Sequence, residues 1–121
     1  MANILVIDDE KSIRNTLQEV LEYESHKVDL ATNGVEGLEF FEKGDYDIVL
    51  CDIKMPGING VEAFKQIKKI NPKMVSVMMT AYAVQHLIQE ALDEGAYACI
   101  SKPFDMEKIM ETIKDISNKT A

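Results

Sequence analysis

Five short apolar runs alternate along this chain with stretches in which apolar residues recur every three or four positions. Residues 3–7, NILVI, are the first run and end at Asp8 and Asp9. Ile13, Leu17, Val20 and Leu21 then repeat at helical spacing as far as about Tyr23, which predicts an amphipathic helix. Residues 27–31, KVDLA, are a shorter, more polar run that suits a strand nearer an edge. Asn33 and Gly34 break it, and Val35, Leu38 and Phe41 mark a second helix closed at Gly44. The third strand is Ile48 to Cys51; Val61, Phe64 and Ile67 mark the next helix, which stops before Pro72. Met74 to Met79 is the fourth strand, and Val84, Leu87, Ile88, Ala91 and Leu92 give the apolar face of a helix ended by Gly95. A fifth strand from about Tyr97 to Ser101 leads to Asp105, an N-cap for a last helix bearing Met106, Ile109, Met110, Ile113 and Ile116. The polar tail from Ser117 is expected to fray, leaving an ordered core over about 3–117.

Single helices between successive strands imply right-handed crossovers and a parallel sheet covered on both faces. With no internal repeat, linker or low-complexity stretch, residues 1–121 read as one doubly wound α/β domain. Ligands of such sheets bind beyond the carboxyl ends of the strands, so function is to be read from the residues there.

Composition narrows the classes. At 46% apolar and 28% charged the chain is globular, and a net charge of −8 argues against nucleic acid as a direct partner. No run is long enough to span a bilayer, and MANILVIDDE lacks the basic start and cleavage site of a secretion signal. A cytoplasmic protein with no membrane partner is expected. Cys51 and Cys99 fall in predicted buried strands, where free cysteine acts as a small hydrophobe, and neither sits in a C-x-x-C pattern. His26 and His86 are isolated in polar surroundings, which argues against a zinc site.

Four of the five strands end in a reactive or polar side chain: Asp8 with Asp9, then Asp52, Thr80 and Lys102. Each alone has an ordinary explanation, Asp8 as a helix cap and Lys102 as a solvated loop lysine. Together they converge on one rim of the sheet. Asp52 is the sharpest case, because burying a carboxylate at the end of IVLCD costs several kcal/mol unless something compensates it. Three neighbouring carboxylates repel one another and raise at least one pKa unless a cation intervenes. Mg²⁺ fits, since it takes oxygen ligands and keeps waters or phosphate oxygens besides one or two carboxylates. Lys102 and the Thr80 hydroxyl suit the oxygens of a phosphoryl group, and Asp52 is left as a nucleophile on a central strand.

In this set of residues the chain resembles a response-regulator receiver domain over essentially its whole length. The pieces that carry the resemblance are VIDDE at 6–10, LCDIKMPG at 50–57, MTAY at 79–82 and SKPF at 101–104. MTAY, IQEA and KPFD are most similar to single-domain regulators of sporulation-type phosphorelays and to nitrogen-regulator-like receivers. The resemblance implies a flavodoxin-like (βα)5 domain of strand order 2-1-3-4-5 working in two-component or phosphorelay signalling. It implies that Asp52 accepts a phosphoryl group from the phosphohistidine of a histidine kinase or phosphotransfer domain. Asp9 and Asp52 would then ligate Mg²⁺ directly, Asp8 would act mostly through water, and the Lys54 carbonyl would complete the protein ligands. Lys102 would pair with the phosphoryl group, Thr80 and the Ala81 N–H would hydrogen-bond its oxygens, and the Lys102–Pro103 bond would be cis. Such a chain is no enzyme toward other substrates, catalysing only its own phosphorylation and dephosphorylation. Its kinase would dock over the rim and first helix. A downstream effector, or an output domain not carried by these residues, would use the fourth helix, fifth strand and fifth helix.

Two features depart from the family pattern. Cys99 stands where receivers often carry an aromatic residue whose rotamer follows the threonine; Tyr97, two positions earlier, points to the same side of its strand and is the candidate substitute. Lys54 and Tyr82 border the acceptor and are candidates for shielding the phosphoryl group from water. In the expected order Cys51 and Cys99 lie two strand spacings apart, about 9.5 Å, beyond the ~7 Å reach of a disulfide. Three alternatives fare worse. A Mg²⁺-dependent phosphatase of haloacid-dehalogenase type wants D-x-D after the first strand, where this chain has adjacent Asp8 and Asp9. A flavodoxin-like cofactor site wants a hydroxyl- and glycine-rich loop in place of DDEKS, and intact Asp9, Asp52, Thr80 and Lys102 argue against a degenerate receiver scaffold.

Overall fold

The alternation of apolar runs and helical stripes builds β1 (Asn3–Ile7), α1 (Lys11–Tyr23), β2 (Lys27–Ala31), α2 (Gly34–Lys43) and β3 (Ile48–Asp52), followed by α3 (Gly60–Ile70), β4 (Val75–Thr80), α4 (Gln85–Asp93), β5 (Ala98–Ser101) and α5 (Met106–Thr120). The computed structural model describes residues 2–81, 85–102 and 105–120, with backbone alone for Lys119 and Thr120. The readings made of Tyr82, Val84, Phe104 and the Pro103 peptide bond therefore lie outside the described residues. All strands are parallel, in the order β2-β1-β3-β4-β5.

Period-two alternation sends each strand's side chains to two separate cores. Leu5, Ile7, Val49, Cys51 and Met78 pack under α2, α3 and Ala91 of α4. Ile4, Val6, Leu50, Val77 and Met79 pack against Leu17 and Leu21 of α1 and Ile109, Ile113 and Ile116 of α5. β2 is an edge strand, as its polarity predicts; Lys27 is exposed, and half-buried Asp29 accepts a hydrogen bond from the Tyr46 hydroxyl at 2.7 Å.

Helix starts follow local chemistry. Asn33 Oδ1 accepts from the Glu36 N–H, Asn59 Oδ1 from the Glu62 N–H, and Asp105 Oδ1 from the Glu107 N–H, so the expected Asp105 cap is present. The boundaries differ from expectation in four places. β3 runs one residue further, to Asp52, because the Ile53 N–H still donates to the Met79 carbonyl. β4 is shifted by one at each end, to Val75–Thr80, and β5 begins at Ala98 rather than Tyr97, although the Tyr97 N–H bonds the Ser76 carbonyl. α5 stays helical to Thr120, where fraying from Ser117 was expected: Ile116, 2% exposed, anchors its last turns, and no Gly or Pro interrupts them. Among the described residues no helix is long and apolar enough to cross a membrane.

Candidate phosphoryl-acceptor site

Parallel register decides which side chains meet. Ile7 lies opposite Cys51, so Asp8 and Asp52 leave the sheet side by side. Asp52 lies opposite Met79, Thr80 opposite Ser101, and the Lys102 N–H donates to the Thr80 carbonyl at 2.7 Å. Four strand ends are thereby fixed within one rim by backbone bonds, which is where doubly wound sheets hold their ligands.

Lys102 is the hub of the rim. Its side chain is only 6% exposed, and its Nζ lies 2.8 Å from Asp8 Oδ2, 3.2 Å from Asp52 Oδ2 and 3.3 Å from Glu10 Oε1. Asp8 is fully buried; its other oxygen accepts the Glu10 N–H at 2.9 Å, and its carbonyl accepts from Arg14 Nη1 at 2.8 Å. Asp52 is 4% exposed, and its Oδ1 accepts the Lys54 N–H at 3.3 Å. Burial first, and then repulsion from Asp8, push the Asp52 pKa up to about 6, against the pull of Lys102 and of the Lys54 N–H. Burial works against the charge of Lys102, but its bonds to Asp8 and Asp52 outweigh it, and its pKa is raised. Asp52 is thus poised to be ionised at neutral pH yet short of compensating charge.

Asp8, Glu10 and Asp52 each offer an oxygen within 4.8 Å of the others. One ammonium against three carboxylates leaves an excess of negative charge, and an all-oxygen donor set is what Mg²⁺ takes. The residues present fit that ion. Beside them opens a cleft of about 490 Å³ lined by Asp9, Glu10, Asp52, Lys54, Met55, Pro56 and Ala81.

The structure therefore places Asp8, Asp52 and Lys102 in direct contact, with Thr80, buried, on the adjacent strand end. Asp9 and Lys54 are exposed at the cleft wall, and Asp9 is not among the clustered carboxylates. Glu10, the last residue of the VIDDE run and not singled out by the sequence reading, takes a place in the cluster. Its position is fixed by the Asp8 turn at the start of α1, which strand pattern alone does not specify.

The departures from pattern are visible too. Cys99 is half-buried rather than buried and packs at the edge of the core under α2 and α3, while Tyr97, 39% exposed, stands before the first residue of β5. Cys51 and Cys99 both lie opposite Met78, one on each side, and both thiols are free.

Comparison with known proteins agrees with the geometry. The response regulator receiver domain family matches over residues 4–114. Sporulation initiation phosphotransferase F of Bacillus subtilis is 38% identical over 111 residues, which cover 92% of this chain and 90% of that protein. A CheY-like receiver domain protein from Methanospirillum hungatei superposes with a TM-score of 0.95 at 31% identity, covering 99% of this chain and 97% of the other. The response regulator TrrA of Thermotoga maritima, solved in complex with Mg²⁺ and beryllofluoride, gives a TM-score of 0.87 at 36% identity over 96% and 99% of the two chains.

Proposed function

The chain belongs to the response regulator receiver domain family, and from that premise we propose that Asp52 is where it takes up a phosphoryl group. A receiver domain is a signalling module of two-component and phosphorelay systems, regulated by phosphorylation. The observation that carries the assignment is Asp52 itself: a nearly buried carboxylate at the wall of an open cleft, 3.2 Å from a buried lysine.

In the proposed reaction an Asp52 oxygen forms the new O–P bond as the N–P bond of a phosphohistidine breaks, and the imidazole leaves with the bonding pair. Lys102 balances charge on the incoming oxygens, while the Thr80 hydroxyl and the Ala81 N–H orient them. Mg²⁺, when bound, neutralises charge on the transferred group and the facing carboxylates. Asp52 would hold it directly together with Asp9, which stands outside the carboxylate cluster but lines the same cleft, with Asp8 acting through water and the Lys54 carbonyl as a further ligand. The Mg²⁺–beryllofluoride complex of TrrA supports this reading, because that anion is a phosphoryl stand-in. The donor would be a histidine kinase or phosphotransfer protein and the recipient of the signal an effector, with Thr80 carrying the change outward from the rim.

Adding beryllofluoride to this protein with and without Mg²⁺, while following backbone amide spectra, tests the assignment. The expected result is a Mg²⁺-dependent change around Asp52, Ala81 and Lys102 that is lost in Asp52→Asn. A change that survives that substitution would remove Asp52 from the role.

A further inference from the structure

An ammonium has three protons to donate, and on Lys102 three carboxylates already face them: Asp8 Oδ2, Asp52 Oδ2 and Glu10 Oε1. A phosphoryl oxygen on Asp52 can be received by Lys102 only if one of these partners yields. They are not equally free to do so. Asp8 is fully buried and tied through its second oxygen to the Glu10 N–H. Asp52 is the proposed acceptor; its own place on the ammonium passes to the phosphoryl group it then carries, which brings more than one anionic oxygen. The Glu10 side chain is 53% exposed, so it exchanges the lysine for water at little cost.

Resting on the reading of Asp52 as the acceptor, we infer that Glu10 is a displaceable anionic gate: its carboxylate occupies Lys102 before phosphorylation and surrenders it to the incoming phosphoryl oxygen. Glu10 touches no reacting atom and acts through Lys102, so it is a positioning residue. Its charge also sits at the wall of the cleft through which a phosphoryl donor must enter. Both effects oppose uptake of an anion, and both depend on the charge rather than the shape of the side chain. Glu10→Gln keeps the shape and removes the charge at a largely exposed position, where the fold is insensitive.

The test is beryllofluoride affinity at Mg²⁺ concentrations saturating for each variant, compared between the parent, Glu10→Gln and Asp52→Asn at low and high ionic strength. Glu10→Gln is expected to bind about two- to fivefold more tightly than the parent at low salt, the worth of an exposed ion pair. That advantage should shrink toward nothing near 1 M salt, where screening reaches only about 3 Å; a merely structural role would not produce the salt dependence. Equal or weaker binding by Glu10→Gln at low salt, or an advantage unchanged by salt, overturns the gate. If the parent binds and Asp52→Asn does not, such a result leaves the acceptor assignment standing. If the parent and Asp52→Asn behave alike, the acceptor assignment fails and the gate with it.

Discussion

Lys102 is held more closely by Asp8, at 2.8 Å, than by Asp52, at 3.2 Å. The carboxylate not proposed as the phosphoryl acceptor is thus the one that aims the lysine. Asp8 is in turn fixed by Arg14 on its carbonyl and by the Glu10 N–H on its side chain. Asp52 is left with a weaker hold, which suits the proposed acceptor, a group whose charge and size would change on phosphorylation.

Removing the hub tests that arrangement. Lys102→Met leaves Asp8 and Asp52 buried without a cation and should destabilise the metal-free fold by about 3 kcal/mol. Part of that loss should return on adding Mg²⁺. Denaturant unfolding with chelator and with Mg²⁺ measures both; a variant as stable as the parent in chelator would contradict the role given to Lys102.

Asp52 gives a pH prediction with a definite sign. Its folded pKa is raised to about 6 from an ordinary 3.8, so between those values the folded chain binds the extra proton. Stability therefore falls as pH rises through this window, and the cost is complete above about pH 6. Asn does not titrate. In metal-free buffer Asp52→Asn should be more stable than the parent by about 1–2 kcal/mol at pH 7.5, a discounted conversion of the shift. The difference should vanish near pH 4, and unfolding curves at both pH values decide.

Gly60 locks α3 onto the strand that carries Asp52. Its N–H donates to the Ile53 carbonyl at 2.7 Å, and a Cβ there would stand 2.0 Å from the Asp52 carbonyl oxygen. Gly60→Ala should cost at least about 2 kcal/mol, because backbone must move to admit the methyl group. By contrast Gly57, at φ +80 with open space around it, should lose only about 1 kcal/mol on becoming Ala, from the left-handed backbone alone. Chemical denaturation of the two variants ranks them; equal costs would contradict the packing argument.

The cysteines should differ in reactivity without pairing. Cys51 is buried, with its thiol pKa pushed well above the ordinary range by burial and by Asp52, and Cys99 is half-buried. A thiol reagent should modify Cys99 slowly and Cys51 only on unfolding, and a mild oxidant should leave the monomer without an internal bridge. Mass spectrometry of alkylated peptides checks both.

Most of this site was legible because parallel strands put all their carboxyl ends on one edge. Once the apolar runs were bounded, Asp8, Asp52, Thr80 and Lys102 could only converge, and the register brings them there. What escaped was set by local geometry. Glu10 belongs to no strand end, and its reach toward Lys102 follows from the Asp8 turn into α1. Asp9, adjacent to Asp8 in sequence, is turned out to the cleft wall instead. Cys99 is less buried than a strand residue suggests because β5 is the other edge of the sheet. Tyr97 could be placed on the side of Cys99 by period two, but its exposure depends on where β5 begins, and strand ends are poorly marked by composition.

The most direct test of the account is intact mass after incubation with acetyl phosphate and Mg²⁺, for the parent and Asp52→Asn. One added phosphoryl group that requires Mg²⁺ and is absent from Asp52→Asn is the predicted result. A phosphoryl group that persists in Asp52→Asn, or that forms equally well in chelator, would contradict it.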